Sequence, residues 1–162
     1  MRRFLVLLAL ALPAVFAATA AAETPTIVEQ SLHRSIPNFI SCPDFTVAGE
    51  FDINRTLFTF TDNAGTPIRQ VIHVHFVGTL TNTSTGKSIP DEGNQIVTTD
   101  LTTGTTIVDG RIRVDTAPGE GVILAQVGRI VRDAQGNVLF LAGENDLVSG
   151  NVADFCAYMR AP

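Results

Sequence analysis

The sequence predicts a mainly β fold: one antiparallel meander that closes into an up-and-down β-barrel of about eight strands and ends in a short C-terminal helix. Three observations predict it. Thr, Val and Ile supply 44 of the 140 residues after position 22, a β-branched load that suits pleated strands and is stiff in helices. Glycine recurs at turn spacing, in Asp62-Asn63-Ala64-Gly65, Thr83-Ser84-Thr85-Gly86, Thr102-Thr103-Gly104 and Asp133-Ala134-Gln135-Gly136-Asn137, where tight hairpins need positive φ. Between those turns apolar and polar residues alternate, and a long meander that curls shut hides edge strands that would otherwise pair with other molecules. A two-sheet β-sandwich is the alternative, because the same alternation serves both.

Residues 1–22 carry the pattern of a secretory signal peptide. Met1-Arg2-Arg3 is the positive end, Phe4 to Phe16 an apolar run, and Ala20-Ala21-Ala22 a small-residue cleavage site. The expected location is therefore secreted, extracellular. The apolar run is short for a membrane span, and no later segment approaches roughly 18 consecutive apolar residues. Residues 23–44 read as an N-terminal extension in which Ile27 to Ile36 is available as an extra strand, and residues 45–162 as the barrel domain.

Within that domain Val47, Gly49, Phe51 and Ile53 alternate with Ala48, Glu50 and Asp52, the period-2 mark of a strand with one buried face. Further strands are expected over Leu57 to Thr61, Ile68 to Leu80, Gln95 to Leu101, Thr105 to Val114, Val122 to Arg132 and Val138 to Ala142. Ala117-Pro118-Gly119-Glu120-Gly121 is a fifth break. A helix is expected over 151–160, with Asn151 as cap, Asp154 at the positive end of the dipole, and Val152, Phe155, Cys156 and Met159 on one face. In an exported chain Cys42 and Cys156 form a disulfide that staples this helix to the start of the domain. Closing a loop of about 115 residues is worth roughly 4 to 5 kcal/mol in the loop-entropy account.

Charge narrows the partners. Without Arg2 and Arg3, nine basic residues stand against sixteen acidic ones, net −7, spread along the chain. Such a surface excludes nucleic acid and anionic lipid as favoured partners.

His73 and His75 are the most chemically suggestive pair, since i, i+2 on a strand points both imidazoles to one face. The pair is similar to the His-x-His of the cupins, but Phe76, Val77, Gly78, Thr79 and Leu80 follow where a carboxylate ligand belongs. His33, Glu50, Asp52 or Glu144 could complete a site in space, but nothing in the sequence selects among them, and no metal is assigned. Opposite the pair, Ile72, Val74 and Phe76 are expected in the core. Asp109, Arg111, Arg113 and Asp115 read as one outward, salt-bridged face, opposite Val108, Gly110, Ile112 and Val114. Arg129 shares a face with Ile123, Ala125, Val127 and Val131, and so reads as inward, paired with Glu144 or Asp146.

Thr85-Gly86-Lys87-Ser88 imitates the tail of a phosphate-binding loop, but Thr81 stands where the upstream glycine belongs and Pro90 where a helix would begin, leaving a solvated turn. Ser149, in Leu147-Val148-Ser149-Gly150, lacks the first glycine of a nucleophile elbow. No catalytic residue and no cofactor is assigned.

From Phe51 to Tyr158, through Thr85-Gly86-Lys87-Ser88, Pro118-Gly119-Glu120-Gly121-Val122 and Gly128-Arg129-Ile130-Val131, the chain resembles a family of small secreted bacterial β proteins, actinobacterial in type, that carries no assigned function. The resemblance implies export and a compact β fold, and no catalytic residue. The architecture is also similar to lipocalin-like and allene-oxide-cyclase-like barrels. The expected function is a secreted binding module that holds a small apolar ligand in the barrel mouth, with His73, His75 and Arg129 as its polar groups. The alternatives are an isomerase or cyclase using a histidine as acid-base group in the same pocket, and a structural or protein-interaction module with a filled core.

Overall fold

Seven strands lie side by side in the order in which the chain makes them. The computed structural model describes residues 24–160; the signal-peptide pattern at 1–22 lies outside them. The strands are β1 (Thr26–Ser41), β2 (Thr46–Thr61), β3 (Pro67–Asn82), β4 (Ser88–Asp100), β5 (Thr106–Ala117), β6 (Gly121–Arg132) and β7 (Val138–Ala142), followed by helices α1 (Asp146–Ser149) and α2 (Ala153–Arg160). All six neighbouring pairs are antiparallel, in one sheet ordered β1 to β7. The meander and its turns follow the sequence pattern. Gly86 and Gly136, at the tips of two hairpins, have φ of 77° and 86°, which side chains disfavour.

Three expectations need correction. Residues 26–41, placed in an extension ahead of the domain, form β1, paired with β2 from Thr26↔Thr59 to Ser41↔Thr46, with an irregularity between Ile36 and Ile40 where Pro37 offers no N–H. The separate strands at 47–53 and 57–61 are one strand, β2. Arg55 faces the inner side of the sheet without ending the strand because its Nε donates to Gln30 Oε1 on β1 at 2.7 Å. The eight-stranded barrel is the third correction: the sheet has seven strands, and among the described residues β1 and β7 are its unpaired edges. β7 runs for five residues before Gly143, at φ 86°, turns the chain away toward the helices. Nor, among the described residues, do two sheets stack as a sandwich.

The core sits at one end of the sheet, on what we term its inner face. Val47 and Phe51 of β2, Phe76 and Leu80 of β3, Ile89 of β4, Leu124 of β6 and Phe155, Cys156 and Met159 of α2 are all buried there. The apolar stripe expected on the helix is the face that docks. Cys42 and Cys156 are bonded, with Cα atoms 5.7 Å apart. Asn82 Nδ2 donates to the Met159 carbonyl at 3.0 Å, and Arg160 reaches Asp44 at 2.8 Å. Lys87 is not simply solvated. Its Nζ donates to the Tyr158 carbonyl at 2.7 Å and lies 3.9 Å from the Tyr158 ring centre, so the phosphate-loop lookalike is a fastening for α2.

Phe39, Phe51 and Phe76 form an edge-to-face series with ring centres 5.2 and 5.7 Å apart. Glycines make room around it. A side chain at Gly93 would drive its Cβ into the backbone carbonyl of Ile112, a group that cannot rotate aside. Gly93→Ala is therefore expected to destabilise the fold by about 1 to 3 kcal/mol, read as a lower urea midpoint.

Candidate functional site

The chemistry of the inner face begins with a break in alternation. β5 pairs Arg111 with Val127 and Arg113 with Gln126, so Ile112 is an extra residue with no partner on β6. A bulge of one residue reverses which side chains face the core. Asp109 and Arg111 point outward as expected, but Arg113 and Asp115 point inward and are 5% and 2% exposed. The single outward face predicted for these four residues is thus split in two.

Arg113 is held by charge and by rings. Its Nε donates to Asp91 Oδ1 at 3.0 Å, and its Nη2 lies 2.7 Å from Asp91 Oδ2. The guanidinium carbon sits 4.3 Å from the ring centre of Phe39, 5.4 Å from Phe76 and 5.6 Å from Phe51. Because Phe39 is on β1 and Arg113 on β5, these contacts record how far the sheet curls over at this end.

Asp115 completes the cluster. Among the described residues neither of its carboxylate oxygens meets an N–H or O–H donor. Burial, and then the neighbouring Asp91, push Asp115 up to about 8. Asp91 is raised as well, since its burial outweighs the opposing pull of Arg113. One guanidinium cannot balance two buried carboxylates, so at neutral pH the pair keeps one proton. Asp115, pushed up to about 8, holds it.

Toward the other end of the sheet the inner face opens. Strand register lines up Val28, Leu57, Ile72, Val97, Val108, Ile130 and Leu141, one residue from each strand, as an apolar row. Both helices meet β6 near the packed end, and most of this row is only half-buried. The next row consists of Gln30, Arg55, Val74, Gln95, Gly110 and Gly128. It carries side chains on β1 to β4 and bare backbone on β5 and β6. Among the described residues no carboxylate pairs with Arg55. Apolar wall, amide and guanidinium donors, and bare backbone share this open half of the inner face, a combination that suits an apolar molecule with one polar end.

His73, His75 and Arg129 are not on this face. His73 and His75 share a face, as i, i+2 spacing requires, but it is the outer one; Ile72, Val74 and Phe76 take the inner side as expected. His73 lies between Thr56 and Ile96 with its ring 5.1 Å from that of Phe58, and His75 Nδ1 is 2.9 Å from Asn94 Oδ1. Two shallow hollows of 410 and 370 Å³ flank His73 on this face. Among the described residues no set of three His, Cys, Asp or Glu side chains suited to one ion occurs. His33 is instead engaged by Asp52 at 2.9 Å and Glu50 at 3.0 Å, hydrogen bonds that raise its imidazole above the usual value.

Arg129, predicted to face inward toward Glu144 or Asp146, faces outward. Its Nε and Nη2 donate to the two oxygens of Asp109 at 2.6 and 3.0 Å. The apolar company that suggested burial has another cause. Ile123 shares the core with Phe155 of α2, and the N–H of Ala125 is bound by Asp146 of α1 at 2.7 Å, so the start of β6 is covered where Arg129 is not.

The residues that sequence reasoning missed are Arg55, Asp91, Arg113 and Asp115. Gly110, in mid-strand, was the one local hint, since interior strand glycines accompany bulges.

Comparison with protein-family models, with curated proteins and with solved structures finds no match.

Proposed function

We propose that the protein is a secreted binding module that lays a small apolar ligand with an anionic head along the open half of its inner face. The observation that carries this reading is the seven-residue apolar row beside Arg55, a guanidinium with an amide neighbour and no carboxylate partner among the described residues. Burying apolar ligand surface along the row supplies affinity at about 25 cal/mol per Å². Arg55 and Gln95 supply orientation. The leader pattern at 1–22, the Cys42–Cys156 disulfide, the absence of any described helix long and apolar enough to cross a membrane and the resemblance to exported β proteins support the location.

Titration with a fluorescent long-chain fatty acid tests the reading, and saturable binding is expected. Arg55→Met should weaken it about 10- to 100-fold, the loss of one hydrogen bond to a charged group, while His73→Gln leaves it unchanged. A probe that never saturates would end the proposal, and a loss confined to His73→Gln would move the site to the outer face.

A further inference from the structure

We propose that the outer face of the sheet carries a second binding site, a trough across β1 to β5 that takes an uncharged oligosaccharide. The inference is independent of the ligand reading and uses side chains from the other side of the sheet.

The trough is the furrow between two rows that strand pairing aligns. One wall carries Ser31, Asn54, His75 and Asn94 on β1 to β4, and facing it are Thr56, His73 and Ile96 on β2 to β4. The hollows of 410 and 370 Å³ lie between these walls and share His73, Val74 and Asn94, so they form one continuous depression that reaches Asp109 and Arg111 on β5. Four strand spacings give it a length of about 19 Å, and two residues of rise separate the walls by about 7 Å. Such a shape receives a chain of rings laid across the strands.

Hydrogen bonds within the first wall fix what it offers. Ser31 Oγ donates to Asn54 Oδ1 at 2.6 Å, and His75 Nδ1 donates to Asn94 Oδ1 at 2.9 Å. Each bond engages an amide oxygen and orients the amide, whose two N–H donors have no partner among the described residues. With its proton on Nδ1, His75 keeps Nε2 as an acceptor between them. Opposite, the Thr56 hydroxyl and both nitrogens of the exposed His73 have no hydrogen-bond partner among the described residues. Donors on β2 and β4 with an acceptor on β3 are complementary to hydroxyl groups, each of which both gives and accepts a hydrogen bond. Because neighbours already hold the two amides, little side-chain freedom is lost on binding.

Sugar rings also present C–H faces, and the trough has a surface for them. Ile96 is 44% exposed within a polar row, beside His73, whose ring lies 5.1 Å from that of Phe58. Charge and backbone exclude other long ligands. At the β5 end Arg111 stands 4.0 Å from Glu92 and Asp109 is held by Arg129, while Glu29 at the β1 end repels an anionic polymer such as nucleic acid. An extended peptide is recognised by pairing with a strand edge, whereas the backbone beneath this trough is already bonded in the ladders from β1 to β5.

Isothermal titration calorimetry of the intact protein with cellohexaose and with chitohexaose tests the site, the two sharing an uncharged, hydroxylated chain of rings. Saturable binding of at least one is expected, weakened at least about tenfold for the matching disaccharide, which reaches too few of these groups and forfeits two or more hydrogen bonds. Asn54→Ala and Asn94→Ala should each weaken binding about 3- to 10-fold, the value of one hydrogen bond. Melting temperature and fatty-acid binding should be unchanged in both, since the two side chains are exposed and lie on the opposite face from Arg55. Absence of saturable binding with both sugars overturns the proposal, as does affinity that survives in Asn54→Ala/Asn94→Ala. Tighter binding of an oligogalacturonate, an anionic chain of similar rings, also overturns it, because charge would then be the recognised feature.

Discussion

Arg113→Met is expected to lower the free energy of unfolding by about 3 to 5 kcal/mol, the cost of removing one partner from a buried ion pair. Methionine retains an apolar stem against Phe39, so the loss reports the charge. Without the guanidinium, Asp91 and Asp115 are left together in a core where Asp91 is 3% and Asp115 2% exposed. Urea denaturation at neutral pH measures the effect. A drop under about 1 kcal/mol, the range of an exposed pair, would show that water reaches this cluster.

The same cluster fixes the direction of a pH dependence. Asp115 titrates near 8 when folded and near the ordinary carboxylate value of about 3.9 when unfolded. The folded protein therefore holds a proton that the unfolded chain releases, and the stabilisation from that proton is complete below about pH 4. It is lost as pH climbs toward about 8, with a slope of up to about 1.4 kcal/mol per pH unit. Asp91, raised in the same direction, adds to the trend. Asp115→Asn imitates the protonated acid, so it should flatten the profile and exceed the wild type in stability at pH 8. A wild-type profile that is already flat would show that the proton is not held there.

Reduction of the Cys42–Cys156 disulfide is the second large effect. The bridge joins residues 114 apart in sequence, and releasing it should cost about 4 kcal/mol by chain entropy, a fall of roughly 10 to 20 °C in melting temperature for a chain of this size. Thermal melts followed by circular dichroism with and without reductant measure it, and Cys42→Ser/Cys156→Ser should reproduce the reduced protein. The helix is the element most exposed to the loss. Without the bridge, α2 stays in place through Phe155 and Met159, the Asn82 and Lys87 hydrogen bonds to its last turn, and the Arg160–Asp44 ion pair. A shift under about 3 °C would show that those contacts suffice.

How far the molecule was legible depends on the kind of signal each residue carries. β3, β6 and β7 were located to within two residues, because alternation and turn glycines are properties of neighbouring positions. The helix stripe and the cysteine pair were legible for the same reason and because export narrows what cysteines do. β4 was read seven residues short. Its opening stretch, Pro90-Asp91-Glu92-Gly93, looks like a turn until Arg113 arrives from β5 to neutralise Asp91 in the core.

The candidate site was the least legible part. Arg113 and Asp115 have the same spacing from Asp109 and Arg111 as any outward row, and only the unpaired Ile112 turns them inward. Arg129 misled in the opposite sense, since Ile123 and Ala125 on its face are buried where the helices meet the start of β6, and Arg129 lies beyond that cover.

From local order alone, this chain determined a meander of long antiparallel strands, a docking helix and its sulfur bridge, because backbone geometry couples residues two, three and four apart. Tertiary structure decided which side chains meet inside, that Arg55 and Arg113 rather than His73, His75 and Arg129 line the inner face, and that β1 and β7 are left as free edges. Those outcomes turn on a one-residue register shift and on where strands end relative to one another, and both depend on pairing between segments remote in sequence.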